Sequence, residues 1–434
     1  MKAMYQTPTF NLKAVTQETG VNPDTLRAWE RRYDLPNPER TQGGHRIYSQ
    51  RDIDIVKWLV ARQAEGLRIK QAVALWRRLE ADGKEPLLMK VAQAQPEMPA
   101  RGTVAELRQA WVSASLAYDE REAEQVLAQA FALYPPETVS LELLQKGIAQ
   151  IGQAWYAGHA TVQQEHFATE LATRRVEGLV AAAPPPTRPG RILAACPPEE
   201  AHAFSLLVLT FLLRRRGWDV VYLGANVPVE EMETTVKATK PDLAILAAQQ
   251  LETAANLLTM AQFLRESDVV PTFGGRIFNQ LPALRTRIPG YFLSANLEQA
   301  PYTVEQMMAA PRPLPPLELA SEAHTKALAH YREQQLSIES DVRLASQTTN
   351  VAYEHISDLN QELARNIAAA LTLGDISFAD SYLDWLDGLG SEEPVAAVWS
   401  AGYLKRYYQA AKAHLDGRGA TIVDWLAGRV EVNK

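Results

Sequence analysis

The chain has 434 residues, 47% hydrophobic and 22% charged, which is the composition of a soluble globular protein of two to four domains. It is too apolar for a disordered chain, and its longest apolar run, 205–213, is far short of the ~20 residues of a membrane span. The opening MKAMYQTPTF lacks the apolar core of a secretory signal, and a single cysteine, Cys196, excludes an internal disulfide, so the expected home is the cytoplasm.

A net charge of −7 argues against a nucleic-acid partner until it is divided along the chain. Residues 1–80 hold 14 Lys/Arg against 9 Asp/Glu, a surplus of +5, which leaves −12 for the remainder. A basic head on an acidic body can bind phosphate locally, because whole-chain charge does not set local affinity. Proline-rich stretches mark the other joints, since proline fixes φ and removes an amide donor. A mixed polar linker covers 81–102, APPPTRPG spans 183–190 and PRPLPP spans 311–316. The segments are therefore 1–80, 103–183, 191–310 and 317–434.

In the head, 11–21 and 22–33 read as two short helices. Asn22 followed by Pro23 and Asp24 is a helix start, with a capping side chain and a first-turn proline. The second helix turns Leu26 and Trp29 inward and Thr25, Arg27, Arg31 and Arg32 outward, the pattern of a helix-turn-helix whose second helix enters the major groove. Gly43-Gly44, between Arg40 and Arg46, suggests a hairpin wing exposing Arg40, His45, Arg46 and Tyr48 to phosphates or a minor groove. Further helices are expected over 52–64 and 69–79. The run TLRAWERRYDLPNPERTQGGHRIYS resembles the DNA-binding domain of MerR-type transcription regulators of the RAWERRY-bearing subgroup. That resemblance implies a winged helix-turn-helix that binds a duplex DNA operator as a dimer. The candidate contacts are Asn22, Thr25, Arg27, Arg31, Arg32, Tyr33, Arg40, His45, Arg46 and Tyr48.

Residues 103–183 carry helical patterns throughout and predict a four-helix bundle. Within them Trp155 is followed after nine residues by Glu165-His166, and Val162, Glu165, His166 and Thr169 share one helical face, expected to point inward. Taken singly, a bundle-packed Trp and a satisfied helical His are the commoner readings. Residues 191–310 alternate short apolar strands (RILAAC, DVVYLGA, DLAILAA, VVPTFGG, YFLSAN) with helices near 200–216, 229–239, 252–266 and 277–287. Five strands with crossover helices predict a doubly wound parallel sheet with its ligand at the C-terminal strand ends. The first loop there holds Glu200-Ala201-His202, and Gly274-Gly275 follow the fourth strand.

These features resemble cobalamin-binding modules, in which a helical bundle caps a flavodoxin-like domain, and Trp-x9-Glu-His narrows the resemblance to the sensor of CarH-type photoreceptor repressors. The resemblance implies adenosylcobalamin as cofactor, with His202 as the lower axial cobalt ligand and Glu200 orienting its imidazole. It implies that Trp155, Val162, Glu165 and His166 line the upper face around the adenosyl group, and that Gly274 and Gly275 lie near the nucleotide tail. It also implies a dark, DNA-bound homo-oligomer, a dimer or tetramer, that light takes apart. Three departures stand out. Ser205 occupies a usual glycine, Ala247-Ala248-Gln249 replaces a usual Ser-x-Leu, and Tyr156 stands where a histidine can follow the signature Trp, with His159 nearby. They keep another planar cofactor, haem or a bilin, open as an alternative, as is a corrinoid methyl-carrier protein. No Ser-His-Asp set, Cys-rich metal site or phosphate loop suggests independent catalysis, so no catalytic residue and no enzyme activity is expected.

Residues 319–373 and 376–430 read as helices with aromatic positions Tyr382, Trp385, Trp399, Tyr403, Tyr407, Tyr408 and Trp425. They suggest an added helical domain. The whole chain is therefore expected to be multidomain α and α/β: winged helix-turn-helix, bundle cap, doubly wound sheet and C-terminal helices.

Overall fold

A computed structural model describes residues 8–41, 43–44, 46–64, 67–81, 102–156, 158–310, 313–346, 353–388, 398–399 and 402–432. Of the linker expected over 81–102, residues 82–101 lie outside them. The chain forms two compact units, 1–101 and 102–434.

The first unit opens with β1 (Phe10–Asn11), α1 (Leu12–Thr19) and α2 (Pro23–Tyr33). Asn11 and Asn22 cap these helices by accepting from the N–H of Ala14 and Asp24, each at 2.9 Å. Gly20 ends α1 at φ +69°, where a left-handed residue closes the helix with little steric penalty. β2 (Glu39–Arg40) and β3 (Arg46–Tyr48) form the wing, with Arg40 opposite Arg46, and β1 pairs with the other edge of β3. α3 (Gln50–Ala64) and α4 (Ile69–Ala81) complete a core of Val15, Leu26, Trp29, Ile53, Leu59 and Trp76.

In the second unit α5 (Val104–Leu116), α6 (Glu120–Leu133), a π-helical stretch Val139–Gln145 running into α7 (Lys146–Tyr156), and α8 (Val162–Ala181) form the bundle. The sheet follows as β4 (Arg191–Ala195), β5 (Asp219–Gly224), β6 (Leu243–Ala247), β7 (Val270–Gly274) and β8 (Tyr291–Phe292). Its order β5-β4-β6-β7-β8 and all-parallel pairing make it doubly wound. The crossovers are α9 (Phe204–Arg215), α10 (Met232–Thr239), α11 (Leu251–Glu266) and the short α12 (Arg276–Gln280), with α13 (Ala300–Ala309) closing the domain. Every residue of α9 from Phe204 to Leu213 except Ser205 is buried. A helix apolar all round must be covered on all sides, and α9 lies between the sheet and α8 of the bundle. That contact seats the bundle on the sheet, with Arg215–Glu137 (2.8 Å) and Lys146–Glu298 (3.5 Å) as ion pairs across it.

The C-terminal helices are α14 (Glu322–Ser346), α15 (Tyr353–Thr372), α16 (Asp380–Asp387), α17 (Tyr403–His414) and α18 (Ala420–Val432). Tyr403 and Tyr407 are wholly buried, so part of the aromatic stripe is core. The hydroxyls of Tyr331 and Tyr407 bond at 2.5 Å, and that of Tyr403 donates to Asn360 Oδ1 at 2.7 Å. This bundle shares a core with the α/β domain: Ala369, Ala370, Leu373 and Phe378 join the apolar cluster around α11.

At that seam Glu252 meets Glu199, Glu362 and Arg365. Burial first, then the hydrogen bond to Glu199, pushes its carboxyl up to about 7. The native state thus holds a proton that the unfolded chain releases between about pH 4.5 and 7, so stability falls as pH rises through that window. Glu252→Gln is expected to stabilise the protein by about 1–3 kcal/mol at pH 8 and by nothing measurable at pH 4, as urea denaturation at the two pH values would show.

Candidate functional sites

On α2 the charged edge is built by the core edge. Burying Leu26 and Trp29 leaves Arg27 and Arg31 exposed on the opposite face, with Thr25 and Arg32 exposed at its flank. Arg31 and Arg32 have no ion-pair partner among the described residues, whereas Arg27 bonds Asp24 at 3.0 Å. Arg46 Nε donates to Glu30 Oε2 at 2.6 Å and Arg40 lies 3.8 Å from the same carboxylate, so the wing is pinned to α2. Asn22 is committed to its cap, and the carbonyl of half-buried Tyr33 accepts from Arg77 at 2.6 Å.

Tyr48 is corrected. The wing was expected to expose it, but it is 1% exposed and packs in the core. β3 alternates faces, and in a three-residue strand the sequence does not reveal which face is inward. His45 lies outside the described residues. Arg31→Ala is expected to weaken DNA binding about tenfold and to lower the salt slope by about one, as binding titrations at several salt concentrations would show.

The second site lies where the bundle meets the C-terminal strand ends. Thr161 caps α8 by a reciprocal box with Gln164, whose side-chain amide also reaches Leu116 O at 2.6 Å. This fixes the first turn of α8. There Glu165 accepts from Thr169 Oγ1 at 2.8 Å and meets His166 Nδ1 at 2.7 Å. The face expected to point inward is instead open. Val162 is 39% exposed, Trp155 38%, and the His166 side chain 73%. Trp155 is therefore only partly covered. The side chain of Tyr156 lies outside the described residues.

Below this face, Glu200 is wholly buried while the His202 side chain is 57% exposed. Glu200 Oε1 meets His202 Nδ1 at 2.7 Å and accepts from the His202 N–H at 2.9 Å. Glu200 Oε2 accepts from the Gln249 N–H and from Thr253 Oγ1, both at 2.6 Å. Burial opposes its ionisation, yet the bonds from His202, Thr253 and the two backbone amides outweigh it and hold its pKa below the usual value. The same bond raises the pKa of His202 against the opposing effect of burial, and the charges of Glu165 and Arg276 are both felt at the imidazole. With Nδ1 committed to a carboxylate, Nε2 is the nitrogen left for a metal.

The departures from the family pattern are used inside the protein. Ser205 Oγ accepts from Gln145 of the bundle at 3.1 Å, and Gln249 Oε1 accepts from the Arg276 N–H at 2.9 Å. Ala247 is buried in β6 opposite Gly274. A Cβ on Gly275, at φ +125°, would lie 1.9 Å from Ala248 O, so the packing of two backbones explains this glycine. A Cβ on Gly274 would meet nothing within 4 Å, which leaves open space beside the strand end. Thr253 was missed from the sequence. Its signal, a hydroxyl in the first turn after the third strand, is shared with any helix start.

Sequence comparison agrees with this geometry. A family model for MerR HTH family regulatory proteins matches residues 10–79, and two B12 binding domain models match 107–179 and 190–296. The HTH-type transcriptional repressor CarH of Myxococcus xanthus is 33% identical over 254 residues, covering 58% of this chain and 83% of that protein. The chain belongs to the CarH-like family of MerR-type regulators. The HTH-type transcriptional repressor CarA of the same organism is 31% identical over 243 residues, covering 55% of this chain and 76% of that one. A solved monomethylamine corrinoid protein of Methanosarcina barkeri matches 47% of this chain and 98% of its own at 18% identity and TM-score 0.36. This CarH-like regulator thus joins a DNA-binding head to a cobalamin-binding sensor. Its residues fit a corrinoid: a carboxylate-anchored imidazole with Nε2 free, apolar Trp155 and Val162 exposed above it, and open space at Gly274. Among the described residues no helix is long and apolar enough to cross a membrane.

Proposed function

We propose that the protein is a light-sensing transcriptional repressor that binds adenosylcobalamin between the bundle and the α/β domain. The observation that carries this reading is the buried Glu200 holding His202 with Nε2 outward, beneath an exposed face of Trp155, Val162 and His166. His202 would hold the cofactor's cobalt through Nε2, Glu200 orients His202 and is itself held by Thr253, and the α8 face would lie against the adenosyl group. When bound, the cofactor supplies a light-labile cobalt–carbon bond. The protein's part is to exclude water above and fix the imidazole below.

Arg31, Arg32 and the wing engage an operator, and the cofactor's state sets oligomerisation, as a dimer or tetramer, through differential contact with two arrangements of the bundle. This is a binding switch without turnover. The family's match to B12 binding domains favours cobalamin over haem or a bilin, and the DNA-binding head has no use in a methyl carrier. Purified protein incubated with adenosylcobalamin in the dark should show a corrinoid spectrum that changes under green light, with a different elution volume before and after. Absence of binding at micromolar cofactor would refute the proposal.

A further inference from the structure

Two adjacent glutamates, one buried and one exposed, fasten the loop between β4 and α9 to the start of α11. Glu200 is wholly buried and accepts from the Gln249 N–H and from Thr253 Oγ1. Glu199 is exposed and hydrogen-bonds the carboxyl of Glu252, the neighbour of Thr253 in the first turn of α11. Asn256, one turn further on, donates to Pro198 O at 2.9 Å and reaches Glu199 Oε2 at 3.5 Å. Glu199 has φ +68°, a left-handed conformation that a residue with a side chain keeps only where its surroundings hold it. Its N–H donates to Asn226 Oδ1 at 2.8 Å. His202 follows three residues later, on the same loop.

The C-terminal helices add a cation to this fastening. Arg365 Nε of α15 lies 3.6 Å from Glu252 Oε1, and its Nη1 donates to Glu362 Oε1 at 3.3 Å. Ala369, one turn along from Arg365, is buried in the core around α11, so the guanidinium is carried on a packed helix. Two carboxyl groups joined by a hydrogen bond share one proton. While Glu252 keeps that proton it donates to Glu199, and the pair holds the loop. Once the proton leaves, the carboxylates of Glu252 and Glu199 repel each other, Glu362 adds to the repulsion, and Arg365 offsets it.

The geometry points to Arg365 as a positioning residue for the corrinoid site: from the C-terminal domain it steadies the Glu199–Glu252 pair, and through that pair the loop that carries Glu200 and His202. The inference rests on the cobalamin reading above. It gives the C-terminal domain a part in cofactor retention without any contact between that domain and the cofactor.

The test titrates the full chain with adenosylcobalamin in the dark, by absorbance, at pH 5.5 and pH 8. At pH 8 Arg365→Ala should bind about fivefold more weakly than wild type. At pH 5.5, where Glu252 is protonated with or without its cation, the loss should be less than about twofold. Arg365→Lys keeps the charge and should recover most of the affinity, and Arg365→Gln replaces the alanine variant should that one fail to fold. In a Glu252→Gln chain the amide donates to Glu199 at both pH values, so adding Arg365→Ala should cost less than about twofold. Unchanged affinity at pH 8 in the Arg365 variants overturns the inference and leaves the cobalamin reading intact. A loss that is equal at both pH values, or that persists in the Glu252→Gln chain, also overturns it, because Arg365 would then act by packing alone. Failure of wild type to bind adenosylcobalamin overturns both.

Discussion

His202→Ala should lower the affinity for adenosylcobalamin at least about 100-fold while leaving the cofactor-free fold intact. Outer partners of metal ligands are typically worth 10–100-fold, and removing the ligand itself exceeds that. The fold should survive because the imidazole is largely exposed, while the buried carboxylate beneath it retains Gln249 and Thr253 as donors. Glu200→Gln is the companion variant. It keeps size but loses the charge that orients His202, and an affinity loss of about 10–100-fold is expected. Spectroscopic titration with the corrinoid reads both, and unchanged binding in His202→Ala would remove axial ligation by that residue.

The adjacent glycines should separate stability from binding. Gly275→Ala places its Cβ 1.9 Å from the Ala248 carbonyl oxygen and 2.8 Å from its carbon, with backbone on both sides of the clash. Neither strand end can yield as a side-chain tip would, and φ +125° is itself strained for alanine. The expected loss is about 3–5 kcal/mol in denaturant unfolding. Gly274→Ala meets nothing within 4 Å, so its stability should stay within about 0.5 kcal/mol of wild type. Its methyl group enters the open space at the strand end, so corrinoid binding should weaken instead. Equal stability of the two variants would mean that the β6–β7 approach is looser than described.

Much of this was legible in the chain because it depends on local pattern. Asn22-Pro23-Asp24 is a helix start in any context, and the apolar runs with crossover helices specify a parallel sheet before any contact is known. His202 is a candidate ligand through the family resemblance, and the structure shows its pairing with Glu200. Its support was only half legible. Glu200 is two residues away, whereas Thr253 and Gln249 reach it from 53 and 49 residues distant. Tyr48 failed for a related reason, since its burial is set by α1 and α3 packing on the wing.

The opening charge of −7 therefore covers unlike parts, and the order of those parts is a property of sequence. Periodicity, capping residues and proline breaks act within a few residues, so they determine which elements form and where the domains divide. Which nitrogen of His202 is free, which glycine is needed by a neighbouring backbone and which by open space, and whether the Trp155–His166 face opens outward were decided only by tertiary structure. The first rests on Glu200 being held by Gln249 and Thr253 from beyond the third strand, the second on the approach of β6 and β7, and the third on how the bundle packs.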